Sequence, residues 1–132
     1  MPQTTVSVST DAWLTTVDVT DRLADAVPDD LESGTVTAFV RHTTAGLLVQ
    51  EPEPRLRGDI ESFLRDLVPD EGHAHDQLDG NADSHLRAAL VGPDVTIPVE
   101  NGELALGTWQ SVLLLECDGP RTRTVSVTSV SE

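Results

Sequence analysis

The chain has 132 residues, the size of one domain that buries a core without disulfide or metal staples. Its 23 acidic residues face 8 basic ones, all arginine, for a formal net charge of −15. That balance excludes nucleic acid, which is bound through clustered lysine and arginine, and disfavours anionic membranes.

In chain order, Thr4 to Ser9 and Trp13 to Val19 alternate apolar and polar residues around a turn at Asp11, the pattern of an opening hairpin of half-buried strands. Thr20 suits a helix N-cap, with Leu23, Ala24 and Val27 at helical spacing before Pro28. Thr35 to Arg41 is a β-rich run that delivers His42 at its end, and Leu47 to Gln50 predicts a further strand. After Pro52 and Pro54, Leu56, Ile60, Phe63, Leu64 and Leu67 share one helical face until Pro69.

Asp70 to Gly80 has no apolar period and is dense in Asp, His and Gly, the composition of a functional loop. Asn81 or Asp83 would cap the next helix, whose buried face is predicted to be Ala82, Leu86, Ala89 and Leu90, with His85 at its edge. Val95 to Val99, Glu103 to Leu106, Val112 to Glu116 and Arg123 to Val130 read as strands. They are separated by Asn101-Gly102, a type I′ signal, by Gly107, and by Asp118-Gly119-Pro120.

Acidic residues are spread along the whole chain between clear strand and helix periods, so the chain folds instead of remaining disordered. Self-repulsion at this charge is costly in dilute buffer and is screened in roughly molar salt, where the Debye length falls to about 3 Å, which points to a high-salt cytoplasm. No apolar run approaches the roughly 20 residues of a membrane span, and the start lacks the layout of a signal peptide. The lone Cys117 fits a reducing compartment, and a cytoplasmic setting is expected.

Four histidines invite a metal, since neutral imidazole is the commonest metal ligand and three histidines leave a coordination position open. His73 and His75 lie in the loop, His85 on the next helix and His42 at a distant strand end; surface histidines in a polar chain are the plain alternative. Asp76, Asp79 and Asp83 would orient the imidazoles or bind a cation beside them. Thr43, Thr44 and Gly46 offer hydroxyls and open backbone to an oxyanion. Trp109 would wall a pocket or fill the β core, and Gln110 would offer an amide. Arg121 and Arg123 alternate toward one anionic ligand or pair with carboxylates, and Cys117 reads as a packed small residue.

His42-Thr43-Thr44-Ala45-Gly46-Leu47 with Glu51, Asp79-Gly80-Asn81-Ala82 running into His85-Leu86, Gly102, Gly107-Thr108-Trp109-Gln110, and Glu116 with Asp118-Gly119-Pro120-Arg121 resemble the successive blocks of the YjbQ family. The resemblance covers nearly the whole chain. It implies an α+β fold, a β-sandwich-like core of mostly antiparallel strands with two to three short helices, assembled as a homotrimer. His42, His75 and His85 fall on the family's histidine positions, whereas His73 stands where an aromatic residue is expected and Gln50 where Asn is frequent.

Members are called secondary thiamine-phosphate synthases, which join a pyrimidine diphosphate to a thiazole phosphate with loss of pyrophosphate. On that model His42, His75 and His85 hold a divalent metal, zinc by ligand type, and Glu51 or Asp79 transfers a proton. Thr43, Thr44, Trp109, Gln110 and Arg121 bind the small anionic or phosphorylated metabolite. Departing pyrophosphate suits magnesium and carboxylates better than zinc and imidazoles. Metal-dependent hydrolysis of a phosphorylated small molecule, or a trimer that binds a metal or metabolite without turning it over, are the alternatives.

Overall fold

Alternating runs become two antiparallel sheets in the computed structural model, which describes residues 3–132. One sheet has five strands in the order β1 (Gln3–Ser9), β8 (Thr122–Ser131), β3 (Ser33–Val40), β5 (Asp94–Glu100), β6 (Glu103–Leu104). The other has three, in the order β2 (Thr15–Asp18), β7 (Ser111–Glu116), β4 (Ala45–Gln50). Helices α1 (Thr20–Asp25), α2 (Pro54–Leu67) and α3 (Ala82–Val91) and a 3-10 turn at Ala74–Gln77 complete the described residues. The architecture is α+β.

Period-two burial explains the sandwich. Val36, Ala38 and Val40 of β3, Ile97 and Val99 of β5, and Val125 and Val127 of β8 meet Ala45 and Leu47 of β4 and Val112 and Leu114 of β7 in one core. The alternate side of β7, Leu115 with Cys117 beyond it, packs on Leu64 of α2, Ala88 of α3 and Leu14. β7 is thus covered on both faces, which is why its sequence is a continuous apolar run. Asn101 and Gly102, with φ of 53° and 78°, form the expected tight turn between β5 and β6.

Three expectations are corrected. β1 and β2 do not form a hairpin, because β1 pairs with β8 and β2 with β7; alternation marks strands but does not choose their partners. Thr20 is the first helical residue, and Val19 holds the cap position. Asp18 Oδ1 accepts from Thr20 N at 3.0 Å and the Thr20 hydroxyl accepts from Val112 N at 2.8 Å, stitching α1 to β7.

The third concerns the helix faces. α3 buries Ala82, Asp83, Ser84, Arg87 and Ala88, while Leu86 and Leu90 stay exposed, as do Phe63 and Leu67 of α2. The cause is Arg87. Its guanidinium donates to Leu64 O at 3.0 Å, which also accepts from Val68 N, and to Val68 O at 2.7 Å, just past the end of α2. It also pairs with Asp83 at 2.5 Å and Asp70 at 2.9 Å and lies 5.2 Å from the Trp13 ring. These bonds outweigh the apolar pattern and turn the helix so that its arginine faces inward.

Candidate functional site

Four segments converge at one end of the sandwich: Arg41-His42-Thr43 after β3, Asp118 to Arg121 between β7 and β8, the start of α3, and Asp79 in the loop before it. They line a cleft of about 440 Å³ that includes Arg41, His42, Thr43, Asp79, His85 and Arg121. Beneath it lies a buried ion pair. Glu116 Oε1 accepts from Arg123 Nε at 2.9 Å and from the Thr10 hydroxyl at 2.7 Å, and Oε2 accepts from Asp118 N at 2.9 Å and from Arg123 Nη2.

Burial alone would push the Glu116 carboxyl up, but Arg123, the Asp118 amide and the Thr10 hydroxyl together hold it below its ordinary 4.5. Arg123 Nη2 also donates to Thr44 Oγ1 at 2.8 Å and to Thr44 O at 3.1 Å. The next residue, Thr124, donates its N–H to His42 Nε2 at 2.9 Å. The His42–Thr44 segment is therefore held at both ends by the start of β8. Burial, followed by the charge of Arg123, lowers the His42 pKa from 6.5, so the ring is neutral and carries its proton on Nδ1.

Two glycines allow the elements to approach. A Cβ on Gly46 would stand 2.7 Å from Gly92 O, where α3 ends against β4. One on Gly119 would stand 2.2 Å from Ala12 O, where the turn below Arg121 crosses the segment joining β1 to β2.

His85 borders the cleft on one side and a second cavity of about 600 Å³ on the other, which is lined by His75, Ala82 and Leu86. The His75 and His85 rings meet edge to face with centroids 5.0 Å apart. His75 Nε2 is buried without a hydrogen-bond partner, 3.7 Å from Asp79 Oδ2. His73 braces the loop instead, its Nε2 against Pro69 O at 2.7 Å and its N–H donating to Asp76 Oδ2 at 3.0 Å.

By ligand type this set suits zinc, and the unpartnered His75 nitrogen beside His85 and Asp79 is where a cation would fit. His42 does not fit as arranged, because Nε2 accepts from Thr124 and Nδ1 carries the proton, leaving no free lone pair. Among the described residues no three His, Cys, Asp or Glu side chains are grouped to enclose one ion as they stand. Cys117 is buried, and burial together with the nearby Glu116 charge pushes its thiol up to about 12, so it is no nucleophile at neutral pH.

A family model described as "UPF0047 protein YjbQ-like" matches residues 4–132. The chain belongs to the YjbQ/UPF0047 family. A UPF0047 protein of Archaeoglobus fulgidus is 49% identical over 112 residues, 84% of this chain and 87% of that protein. UPF0047 protein YugU of Bacillus subtilis is 37% identical over 95 residues, 71% and 72% of the two chains. Among solved structures, a hypothetical protein from Aeropyrum pernix K1 superposes with a TM-score of 0.95 at 39% identity, covering 100% of both chains. A YbjQ-like protein of unknown function from Sulfolobus solfataricus P2 also reaches 0.95, at 34% identity over 99% and 97% of the two chains.

Placed on this YjbQ fold, the sequence blocks divide. His42 to Leu47, Asp79 to Leu86 and Glu116 to Arg121 meet at the cleft. Glu51, Trp109 and Gln110 do not, because Ala45 pairs with Glu116 whereas Gln50 pairs with Ser111, so they flank the far ends of β4 and β7, about 17 Å away along the strands. Trp109 is exposed there, neither walling a pocket nor filling the core, and Gln110 Oε1 accepts from Gly107 N at 2.8 Å.

Arg121 and Arg123 both border the cleft, and each also pairs with a carboxylate. Arg123 is buried under the cleft, while Arg121 is at the rim, its Nη2 3.1 Å from Asp118 Oδ2. Asp83 is spent on Arg87, and Asn81, at the cap position, donates its Nδ2 to Asp118 Oδ2 at 3.2 Å. Sequence reasoning quoted Glu116 and Arg41 but gave neither a role at the site. A carboxylate ending the apolar run Val112 to Leu115, with an arginine across the following turn, is the signal of a buried pair.

Proposed function

We propose that this protein is an enzyme of the secondary thiamine-phosphate synthase type that binds phosphorylated small molecules in the cleft between His42, His85 and Arg121. The observation that carries the reading is one of charge. In a chain of net charge −15, three of the eight arginines, Arg41, Arg121 and the buried Arg123, line one cleft with Thr43 and two histidines, beside the carboxylates of Asp79 and Asp118, which gathers the donors an anion needs at one opening. His42 offers its Nδ1–H to a phosphate oxygen, Thr43 its hydroxyl, and Arg41 and Arg121 their guanidinium groups, while Thr44 is held by Arg123 and shapes the floor.

Asp79, inside the cleft, is the proton-transfer group. A divalent metal belongs to the same proposal: His75 and His85 would hold it, with His42 joining by releasing Thr124, and zinc suits these ligands better than magnesium. When bound it would neutralise charge on a departing pyrophosphate. Assembly as a homotrimer belongs to the same reading, and the exposed Trp109, Phe63 and Leu67 are apolar surface that such an assembly could cover.

The test is product analysis after incubating the untagged protein with the pyrimidine diphosphate and the thiazole phosphate, beside a phosphatase panel. Coupled product that disappears in His85→Ala supports the synthase. Release of inorganic phosphate alone would move the reading to a hydrolase at the same cleft, and recovery of every ligand unchanged would move it to a binding protein.

A further inference from the structure

The polar cleft does not end at His42 and His85. A third space, of about 650 Å³, adjoins it between the end of β3 and α3, sharing Arg41, His42, Thr43 and His85 with the cleft. Beyond those four residues its walls change character. They are Phe39, Val40, Ala45, Ala88, Ala89 and Pro93, with no charged group among them.

Two features make this a groove and not a random apolar surface. α3 presents Ala88 and Ala89 here and Gly92 follows its end, so small residues leave room where its leucines, Leu86 and Leu90, line no part of it. Phe39 points outward from β3, between the inward-facing Ala38 and Val40, and stays 45% exposed in a chain with only two Phe. An aromatic ring at the mouth of a space of this size, continuous with convergent polar groups, is the arrangement of a small-molecule site with an apolar and a polar half.

We infer that the ligand is an aryl or comparably apolar-bodied phosphate, its anion in the Arg41–Arg121 cleft and its ring in the Phe39–Ala89–Pro93 groove. This rests on the anion reading of the cleft. It adds that specificity comes from the groove: a phosphate without an apolar body makes only the polar contacts.

Calorimetric titration of the full chain with inorganic phosphate, methyl phosphate, phenyl phosphate and 1-naphthyl phosphate tests it. Affinity rises along the series, on the order of tenfold or more from methyl to naphthyl phosphate, as apolar area is buried. Ala89→Trp fills the groove from an exposed helical position and removes that gain while inorganic phosphate binds as before. Phe39→Ser, an independent variant, reduces the gain in the same selective way.

A flat series in the unaltered protein overturns the inference and leaves the anion cleft standing. So does an Ala89→Trp variant that keeps the full gain, or one whose main effect is a changed oligomeric state, since the groove is then a contact between copies. Aryl phosphates that bind through the groove while inorganic phosphate does not would keep the groove and remove the anion reading. Failure of all four ligands removes both.

Discussion

Thr124 donates its backbone N–H to His42 Nε2 at 2.9 Å, directly after Arg123, whose guanidinium holds Thr44. Two adjacent residues of β8 thus fix the tautomer of the histidine and the position of the loop behind it. The anchor for both is the Glu116–Arg123 pair, which sits at zero and 2% exposure.

Glu116→Gln leaves the Arg123 charge buried without its partner and is expected to cost about 3–5 kcal/mol in urea denaturation. The pH dependence has a definite sign. Glu116 titrates lower in the folded chain than its ordinary 4.5, so its contribution is present above that value and is lost as pH falls through the folded one. The stability difference between the parent and Glu116→Gln therefore shrinks on acidification below about 4.5. A difference that grows there contradicts the assignment.

Arg87→Met is expected to cost a similar amount, about 3–5 kcal/mol, because it strands the buried Asp83 and the carbonyl of Val68 and removes the second donor to Leu64 O. Hydrogen exchange should show the loss at the end of α2 first. Uniform protection across α2 in the variant would mean that Arg87 is not its terminal cap.

Arg87 also marks the limit of what sequence periodicity reveals. The strands were legible because β-branched residues alternate, and the α2 and α3 spans because prolines and glycines bound them. The buried faces of the helices were not, since an arginine whose three guanidinium nitrogens all find acceptors overrides the leucine pattern, and nothing local announces that those carbonyls will stand opposite it. The same holds at the site. His42, Thr43, Asp79, His85 and Arg121 were named from their types and come together, whereas Trp109 and Gln110, also named from their types, and Glu51, named from a family block, stand at the other end of a strand pair whose register no short motif encodes.

The acidic surface carries its own expectation. Denaturation midpoints should rise as potassium chloride goes from low to molar concentration, because screening removes repulsion among 23 carboxylates spread over the whole chain. A midpoint independent of salt would show that the charge is already compensated.

Metal content separates the roles of the histidines. Elemental analysis of untagged protein should find a divalent ion that is lost in a His75→Ala/His85→Ala variant and weakened less by His42→Ala, whose nitrogens are already engaged. Equal loss on changing any one of the three would show that His42 gives up Thr124 on binding. Content unchanged by all of them would remove the metal from the proposal.

The most direct measurement is calorimetric titration of pyrophosphate into the untagged protein and into Arg121→Ala and His85→Ala. Saturable binding to the parent, weakened at least about tenfold in both variants, is the predicted result, consistent with the loss of a charge-assisted contact. Binding that is absent from the parent, or equal in all three proteins, would contradict a phosphate site between His42, His85 and Arg121.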